Sequence, residues 1–380
     1  MNGTRLRILH LHSSFAPGGK ELRAARLMNA FGSEVDHAVV SAQPGAYGAL
    51  AALDPGLAVT CPQDFPSLQG RPGPLRLLRL AKAMRGFDLV LTYNWGAMDA
   101  VLAHRLYGAW LGLPPLVHHE DGFNEDEAGG LKPSRNGFRR IALARASALV
   151  VPSQRLEAIA LQAWHQPRAR VRLIINGIDT AACRGVPSPD AVPGLVKAPG
   201  GKWVGTLAGL RAVKNLPRLV RAFAALPDDW RLVILGEGPE RGTIEAQAEA
   251  CGIAERVHLP GFVSAPSRVV GLFDIFALSS DSEQFPISVV EAMAAGVPIA
   301  SPAVGDVAEM VPVENRPFVT PAGDEAALAD SLARLAADEA LRASIGAANQ
   351  GRAMADYDEG TMIRAYRETY ARAMGRSAFP

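Results

Sequence analysis

Cysteine is scarce in this sequence: Cys61, Cys183 and Cys251 are the only three in 380 residues, and none stands at the short spacing of a zinc pair. A disulfide framework is therefore not what holds the chain together, and a reducing compartment suits it best. Excess charge of either sign is missing too. With 39 basic against 38 acidic residues, there is no global electrostatic case for a nucleic-acid binder. No apolar run approaches the roughly 20 residues that cross a bilayer. The opening MNGTRLRILHLHSSF carries Arg5 and Arg7, but histidines interrupt its apolar run and no small-residue cleavage site follows. It reads as a first strand. These absences set the expectation of a cytoplasmic protein whose membrane contact, if any, is peripheral, on the inner face of the cell membrane.

What is present is apolar residues in short, regularly spaced runs. At 380 residues, 48% of them apolar, the chain is long enough for two packed domains of roughly 150–200 residues each. LRILHLH, DHAVVSA, FDLVLTYN, PLVHHED, SALVVPS and VRLIING alternate with helix-like segments such as GKELRAARLMNAFG, which predicts a parallel sheet. The second half repeats the pattern with KWVGTLAG, WRLVILGEG, RVHLPGF, DIFALSS, VPIASPA and PFVTPAG. Between them Gly185 to Lys202 holds too many prolines and glycines for an element interior and reads as a boundary loop. The expected organisation is α/β: two facing Rossmann-like domains with an interdomain cleft. The expected bounds are 1–182 and 183–357, with a C-terminal helix at 358–380, including Tyr366 and Tyr370, returning to the first domain.

Parallel sheets bind ligands outside the carboxyl ends of their strands, so those ends hold the candidate residues. In the second half, Gly236 and Gly238 in GEGPER allow close backbone approach, with Arg241 in the same loop and a helix expected from Pro239. An ordinary strand-to-helix turn would need the same glycines. Arg211 and Lys214, three apart after a strand, suit one anion, or are two solvated cations. Ser288 and Glu291 have capping-box spacing, which would start a helix there that ends at Gly296. The competing reading makes Phe285, Pro286 and Ile287 a tight turn facing a diphosphate, with Glu283 and Glu291 accepting hydroxyls on either side.

In the first half, Gly18 and Gly19 precede Glu21 at a helix start and would let backbone approach a phosphate or an acceptor, or simply form a turn. His118, His119 and Asp121 end a strand; successive side chains point to opposite faces, so one histidine is expected to face the binding end and the other the core. The acids of NEDE at 124–127 read as solvated loop residues, and no metal site is expected. From Arg71 to Arg85, basic residues run without an acid on an amphipathic helix. That helix is either an ordinary solvated face or a contact with anionic lipid.

The string SSDSEQFPISVVEAMAAGVPIASPAVGDVAEMV resembles the donor-binding signature of the retaining glycosyltransferases of family four, which have the GT-B fold. Its core is a pair of glutamates eight positions apart, with F-P between and E-A-M-A-x-G-x-P after. LGEGPER, GLRAVKN, LIINGID and the Gly18-Gly19 loop extend the resemblance over almost the whole chain. It implies that Glu283 contacts the donor sugar, Glu291 the ribose, and the turn from Phe285 to Ile287 phosphate or sugar. Arg211 and Lys214 would hold the diphosphate, and Gly261, Phe262 and Val263 the base. Ser288 at the helix start and Gly209 complete the donor side. Gly209 stands where many relatives have arginine, so Arg211 is the less secure of the two cations.

Relatives often have a histidine-glycine pair near the reacting sugar, which here aligns with either histidine or with Asp121-Gly122. The implied reaction is retaining transfer from a UDP- or GDP-linked sugar to a hydroxyl of a carbohydrate or lipid-linked acceptor, without metal or other cofactor. Surface polysaccharide or glycolipid assembly is the expected setting. A nucleotide-sugar epimerase, a phosphorylase and a non-catalytic carbohydrate-binding protein are the alternatives.

Overall fold

The computed structural model describes residues 5–122 and 131–380. The acids at 124–127 lie outside the described residues. The chain divides into two units, 1–175 with 362–380, and 176–361.

The first unit is built on a seven-stranded parallel sheet in the order β3-β2-β1-β4-β5-β6-β7. Its strands are β1 Leu6–His12, β2 Val35–Ser41, β3 Ala58–Thr60, β4 Leu89–Tyr93, β5 Leu116–His119, β6 Ala148–Val151 and β7 Val171–Leu173. The central strands are nearly all buried, as expected for parallel strands covered on both faces. The connecting helices are α1 Gly19–Phe31, α2 Pro74–Ala83, α3 Met98–Leu111, α4 Pro133–Ala142 and α5 Gln154–Gln162. One core joins Leu77 and Leu80 of α2, Val101 of α3, Ala142 of α4 and Leu156 of α5 to the sheet. On the other face, α1 meets Met362, Tyr366 and Tyr370 of the C-terminal helix.

The second unit has six parallel strands in the order β10-β9-β8-β11-β12-β13. They are β8 Lys202–Leu207, β9 Trp230–Leu235, β10 Val257–Gly261, β11 Ile275–Ala277, β12 Ile299–Pro302 and β13 Val319–Thr320. Around them run α6 Leu216–Ala224, α7 Arg241–Ala250, α8 Ile287–Ala294, α9 Val307–Met310, α10 Glu325–Ala337 and α11 Glu339–Asp356, and the C-terminal helix is α12 Glu359–Ala373. Each sheet reverses its strand order once, at β1/β4 and at β8/β11. Loops diverge at such a point and leave a crevice at the carboxyl ends.

Two boundaries differ from the expectation. Residues 176–182 join the second unit, because Ile178 N–H donates to Tyr357 O (3.0 Å) and Ile178 O accepts from Glu359 N–H (2.8 Å). Thr180 Oγ1 also donates to Asp358 (2.8 Å). The Pro/Gly-rich stretch 185–202, expected as the boundary loop, lies inside the second unit and is anchored to it at two points. Val192 is buried, and Lys197 Nζ donates to Leu272 O (2.7 Å) and Asp274 (2.8 Å).

The first unit buries several histidines. His10 Nε2 and His37 Nδ1 share a hydrogen bond of 3.0 Å across β1 and β2. Burial lowers the pKa of His10, His12 and His119, and takes that of His37 to about 4 although Asp36 opposes it. These rings stay neutral in the folded chain, whereas the unfolded chain protonates them below their ordinary value near 6.5. Their contribution to stability is therefore full above about pH 6.5 and is lost as pH falls towards 4. Urea unfolding between these values should lose up to about 1.4 kcal/mol per pH unit for each neutral histidine. His37→Gln should make the slope shallower; an unchanged slope would refute this assignment.

Candidate active site

The second unit gathers most of the predicted donor residues at its strand-order reversal. β8 ends at Leu207 and runs through Ala208 and Gly209 into a single turn at Ala212–Lys214, while β11 leads into Ser279 to Glu283. The two loops are tied together. Ser279 Oγ donates to Lys214 O (2.9 Å), Asp281 N–H to Val213 O (2.9 Å) and Arg218 to Ser279 O (3.1 Å). On this frame Lys214 Nζ lies 2.5 Å from Glu283 Oε1, which also accepts from Ser280 Oγ at 2.7 Å. Glu283 is 12% exposed. Its Oε1 is taken by two donors, and Oε2 keeps acceptor capacity. The Arg211 side chain is exposed and takes no part in this network.

The turn before α8 is anchored from inside. Phe285 is buried and meets Tyr357 edge-on, with ring centroids 5.7 Å apart. Pro286, with φ −72°, is the N-cap and Ile287 the first helical residue. The expected capping box does not form, because proline starts the helix two residues before Ser288, which then lies inside the first turn with no cap role. Ser288 and Glu291 instead line a cavity of about 340 Å³ with Gly209, Gly236, Glu237, Phe262 and Val263. Leu207, Ala208, Leu235 and Pro266 complete a mainly apolar wall. The first amides of α8 have no partner within the helix, and their partial positive charge suits an anion.

Other glycines and cations have structural partners. At Gly236 (φ +145°) a Cβ would lie 1.9 Å from Ala208 O, and at Gly238 (φ +158°) 2.4 Å from Leu210 O. Both accommodate neighbouring backbone; Gly236 also reaches the cavity, and Gly238 is not among its lining residues. Arg241 opens α7, two residues after the expected start at Pro239, and binds Leu259 O (2.8 Å) and Glu245 (3.1 Å) rather than lining the cavity. Gly261 ends β10 at φ +99°.

In the first unit, Gly18 is the N-cap of α1 and Gly19 its first residue. A Cβ on Gly18 would lie 2.7 Å from the Glu21 carboxylate, so its space is filled by its own helix. Neither histidine is open at the end of β5. His118 is buried, 2.8 Å from Thr92 Oγ1, and its Nε2 is 3.7 Å from the buried Glu120, which accepts from Arg139 at 3.3 Å. His119 is buried on the opposite face; Nδ1–H donates to Thr92 O (3.2 Å), so Nε2 accepts from Tyr370 Oη (2.9 Å). Helices cover both faces of the sheet, so alternation sends each ring into a core. Asp121, two residues past the end of β5, is 11% exposed and bound in bidentate fashion by Arg23. Its N–H donates to Asn94 Oδ1 at 2.8 Å.

Sequence reasoning missed Arg23, Ser280 and Gly305. Arg23 sits in an ordinary helical pattern, and nothing local marks it. Gly305 has φ +57°, and a Cβ there would lie 2.4 Å from Gln284 O and 2.8 Å from Glu283 O. Asp306 N–H donates to the same Gln284 O at 3.0 Å. The Glu283 loop thus rests against a backbone that only glycine allows; the G-D pair after a strand was the available signal. Gly305→Ala should destabilise the fold by roughly 1–3 kcal/mol and displace Glu283. Urea unfolding checks the first, and loss of the extra thermal shift that a nucleotide sugar gives over its nucleoside diphosphate checks the second. A variant unchanged in both would show that the loop does not depend on this contact.

The family described as Glycosyltransferase Family 4 matches residues 17–182, and that described as Glycosyl transferases group 1 matches residues 192–352. Among curated proteins, N-acetyl-alpha-D-glucosaminyl L-malate synthase of Bacillus anthracis is 30% identical over 142 residues, 37% of either chain. The chain therefore spans little more than a third of that relative. The glycosyltransferase EpsF of Bacillus subtilis is 27% identical over 321 residues, 78% of this chain and 79% of its own. Among solved structures, HepE of Anabaena, determined in complex with UDP, superposes with a TM-score of 0.79 at 22% identity, covering 96% of this chain and all of that one. Two family matches that follow one another along the chain, on two parallel-sheet units with the GT-B fold, establish that this protein belongs to the family 4 glycosyltransferases.

Proposed function

We propose that this protein transfers a sugar from a nucleoside diphosphate sugar to a hydroxyl of a carbohydrate or lipid-linked acceptor, with retention of anomeric configuration and without a metal. The observation that carries the reading is the Lys214–Glu283–Ser280 triad beside the start of α8. Bond cleavage leaves negative charge on the departing diphosphate. Lys214 and the amides of Ile287 and Ser288 supply preorganised positive charge for it. Glu283 Oε2 accepts a hydroxyl of the transferred sugar while Oε1 stays bound to Lys214 and Ser280. Glu291, lining the cavity, accepts from the ribose, and the base takes the apolar wall near Phe262 and Val263. The leaving phosphate accepts the acceptor's proton, so no carboxylate nucleophile is required. UDP in the complex of HepE favours a UDP-linked donor over a GDP-linked one. Of the three candidates around β5, we assign substrate contact to Asp121, whose side chain keeps 11% exposure beside Arg23, while His118 and His119 are buried.

Incubation with UDP- and GDP-sugars separates this reading from its rivals. Transfer needs an acceptor, an epimerase converts the donor alone, and a phosphorylase requires inorganic phosphate. Lys214→Ala is expected to lower kcat/KM by about 10²–10³-fold, the usual loss when one charge-stabilising group is removed. Glu283→Gln should lose transfer while keeping nucleotide binding, and a chelator should leave the rate unchanged. Product of inverted anomeric configuration by NMR, or full activity in both variants, would refute the mechanism.

A further inference from the structure

The helices α2, α3 and α4 form one layer over the first sheet, with α2 packed along α3 and α3 along α4. Their outward surface is unusual in two respects that coincide. It exposes large apolar side chains: Leu75 of α2 is 74% exposed, Trp110 of α3 72% and Ile141 of α4 61%. Scattered exposed leucines need no explanation, but these three lie on neighbouring helices of one layer. The start of α2 touches the end of α3, where Tyr107 Oη donates to Pro74 O (3.2 Å) and the Tyr107 and Trp110 rings are 6.4 Å apart.

The same surface is basic. Leu75, Arg79 and Lys82 recur at helical spacing, so they share one stripe, and all three are exposed. Arg140 adds a further exposed cation beside Ile141. Asp99 of α3 pairs with Arg76 at 2.6 Å, whereas Arg79, Lys82 and Arg140 make no ion pair among the described residues. Among the described residues, α2 and α4 contain no acidic residue at all. Exposed cations are therefore gathered on one helix layer of a chain whose net charge is only +1.

We infer that the α2–α3–α4 surface docks on an anionic phospholipid bilayer, with Trp110 and Leu75 entering the headgroup boundary and Arg79, Lys82 and Arg140 facing lipid phosphates. Lipid phosphates fit better than a protein partner because the charge is of one sign and lies around the apolar side chains rather than in discrete pairs. Tryptophan suits the boundary, with an apolar body and one polar N–H. The inference widens the sequence expectation from one helix to a layer with an aromatic anchor. It does not depend on the donor-site assignment.

Co-sedimentation of the full chain with vesicles tests it. Binding is expected to vesicles containing phosphatidylglycerol and not to phosphatidylcholine alone, and to be lost in about 0.5 M salt, where charges are screened within a few ångströms. The double variant Arg79→Gln, Lys82→Gln should bind about thirtyfold more weakly, at roughly fivefold per surface charge removed. Trp110→Ser should cost on the order of tenfold while leaving the salt dependence intact. Lys202→Gln, an exposed lysine of the second unit, serves as the control and should bind as the parent does. Thermal unfolding of each variant at the parent temperature confirms that the fold is kept. Absence of vesicle binding, equal binding to neutral vesicles, or equal binding by the charge variant overturns the inference. So does a Trp110-dependent dimer in light scattering, or single-stranded RNA binding that vesicles do not displace.

Discussion

The second unit depends on the point where its sheet reverses direction. Between β8 and β11 the chain leaves in opposite senses, so two loops separated by some seventy residues of sequence are brought to a common crevice. What fixes their geometry is a set of backbone-directed hydrogen bonds from Ser279, Asp281 and Arg218. The Lys214–Glu283 pair is the product of that frame. It is largely shielded from water, where an ion pair with additional donors is stronger than on an open surface. Gly305 sets the position from below by letting two backbones approach closer than any side chain permits.

The first unit solves a harder electrostatic problem. Arg23 is almost wholly buried, and burial alone would lower its pKa; Asp121 more than restores it, by charge and by hydrogen bonding. Removing one member of such a pair leaves the other as an uncompensated buried charge, at a cost of about 3–5 kcal/mol. Around it the aromatic rings are stacked: His12 lies on Tyr93 at 3.9 Å between centroids, and Tyr93 on His119 at 4.5 Å. Tyr366 and Tyr370 complete the group from the last helix, which explains why that helix is part of the unit and not a loose end. Strand ends, α1 and α12 are thus coupled by one buried polar and aromatic cluster.

Much of this was legible from sequence because it is local. Runs such as LRILHLH and WRLVILGEG specify buried parallel strands by their length and lack of alternation, and the strand-helix alternation specifies the doubly wound pattern. Ser288 and Glu291 stand three apart on one helix, so their meeting in one cavity needed no tertiary information. The capping-box reading failed because it weighed Ser288 against Glu291 and overlooked that Pro286, with its preset φ, starts the helix earlier. The histidines misled for a related reason. Strand alternation shows that two neighbours point apart, but not whether each face is covered, and here helices cover both.

The sequence by itself determined the fold class, the strand ends on which chemistry collects, and which acids and glycines flank the α8 turn, since each is encoded by neighbours within a few residues. Only tertiary structure decided that Lys214 and Ser280 share one oxygen of Glu283, that Arg23 holds Asp121, and that Gly236 and Gly238 make room for backbone. Apart from the local Ser280–Glu283 bond, those contacts join segments far apart in the chain, and periodicity carries no information about which distant segments a sheet will bring together.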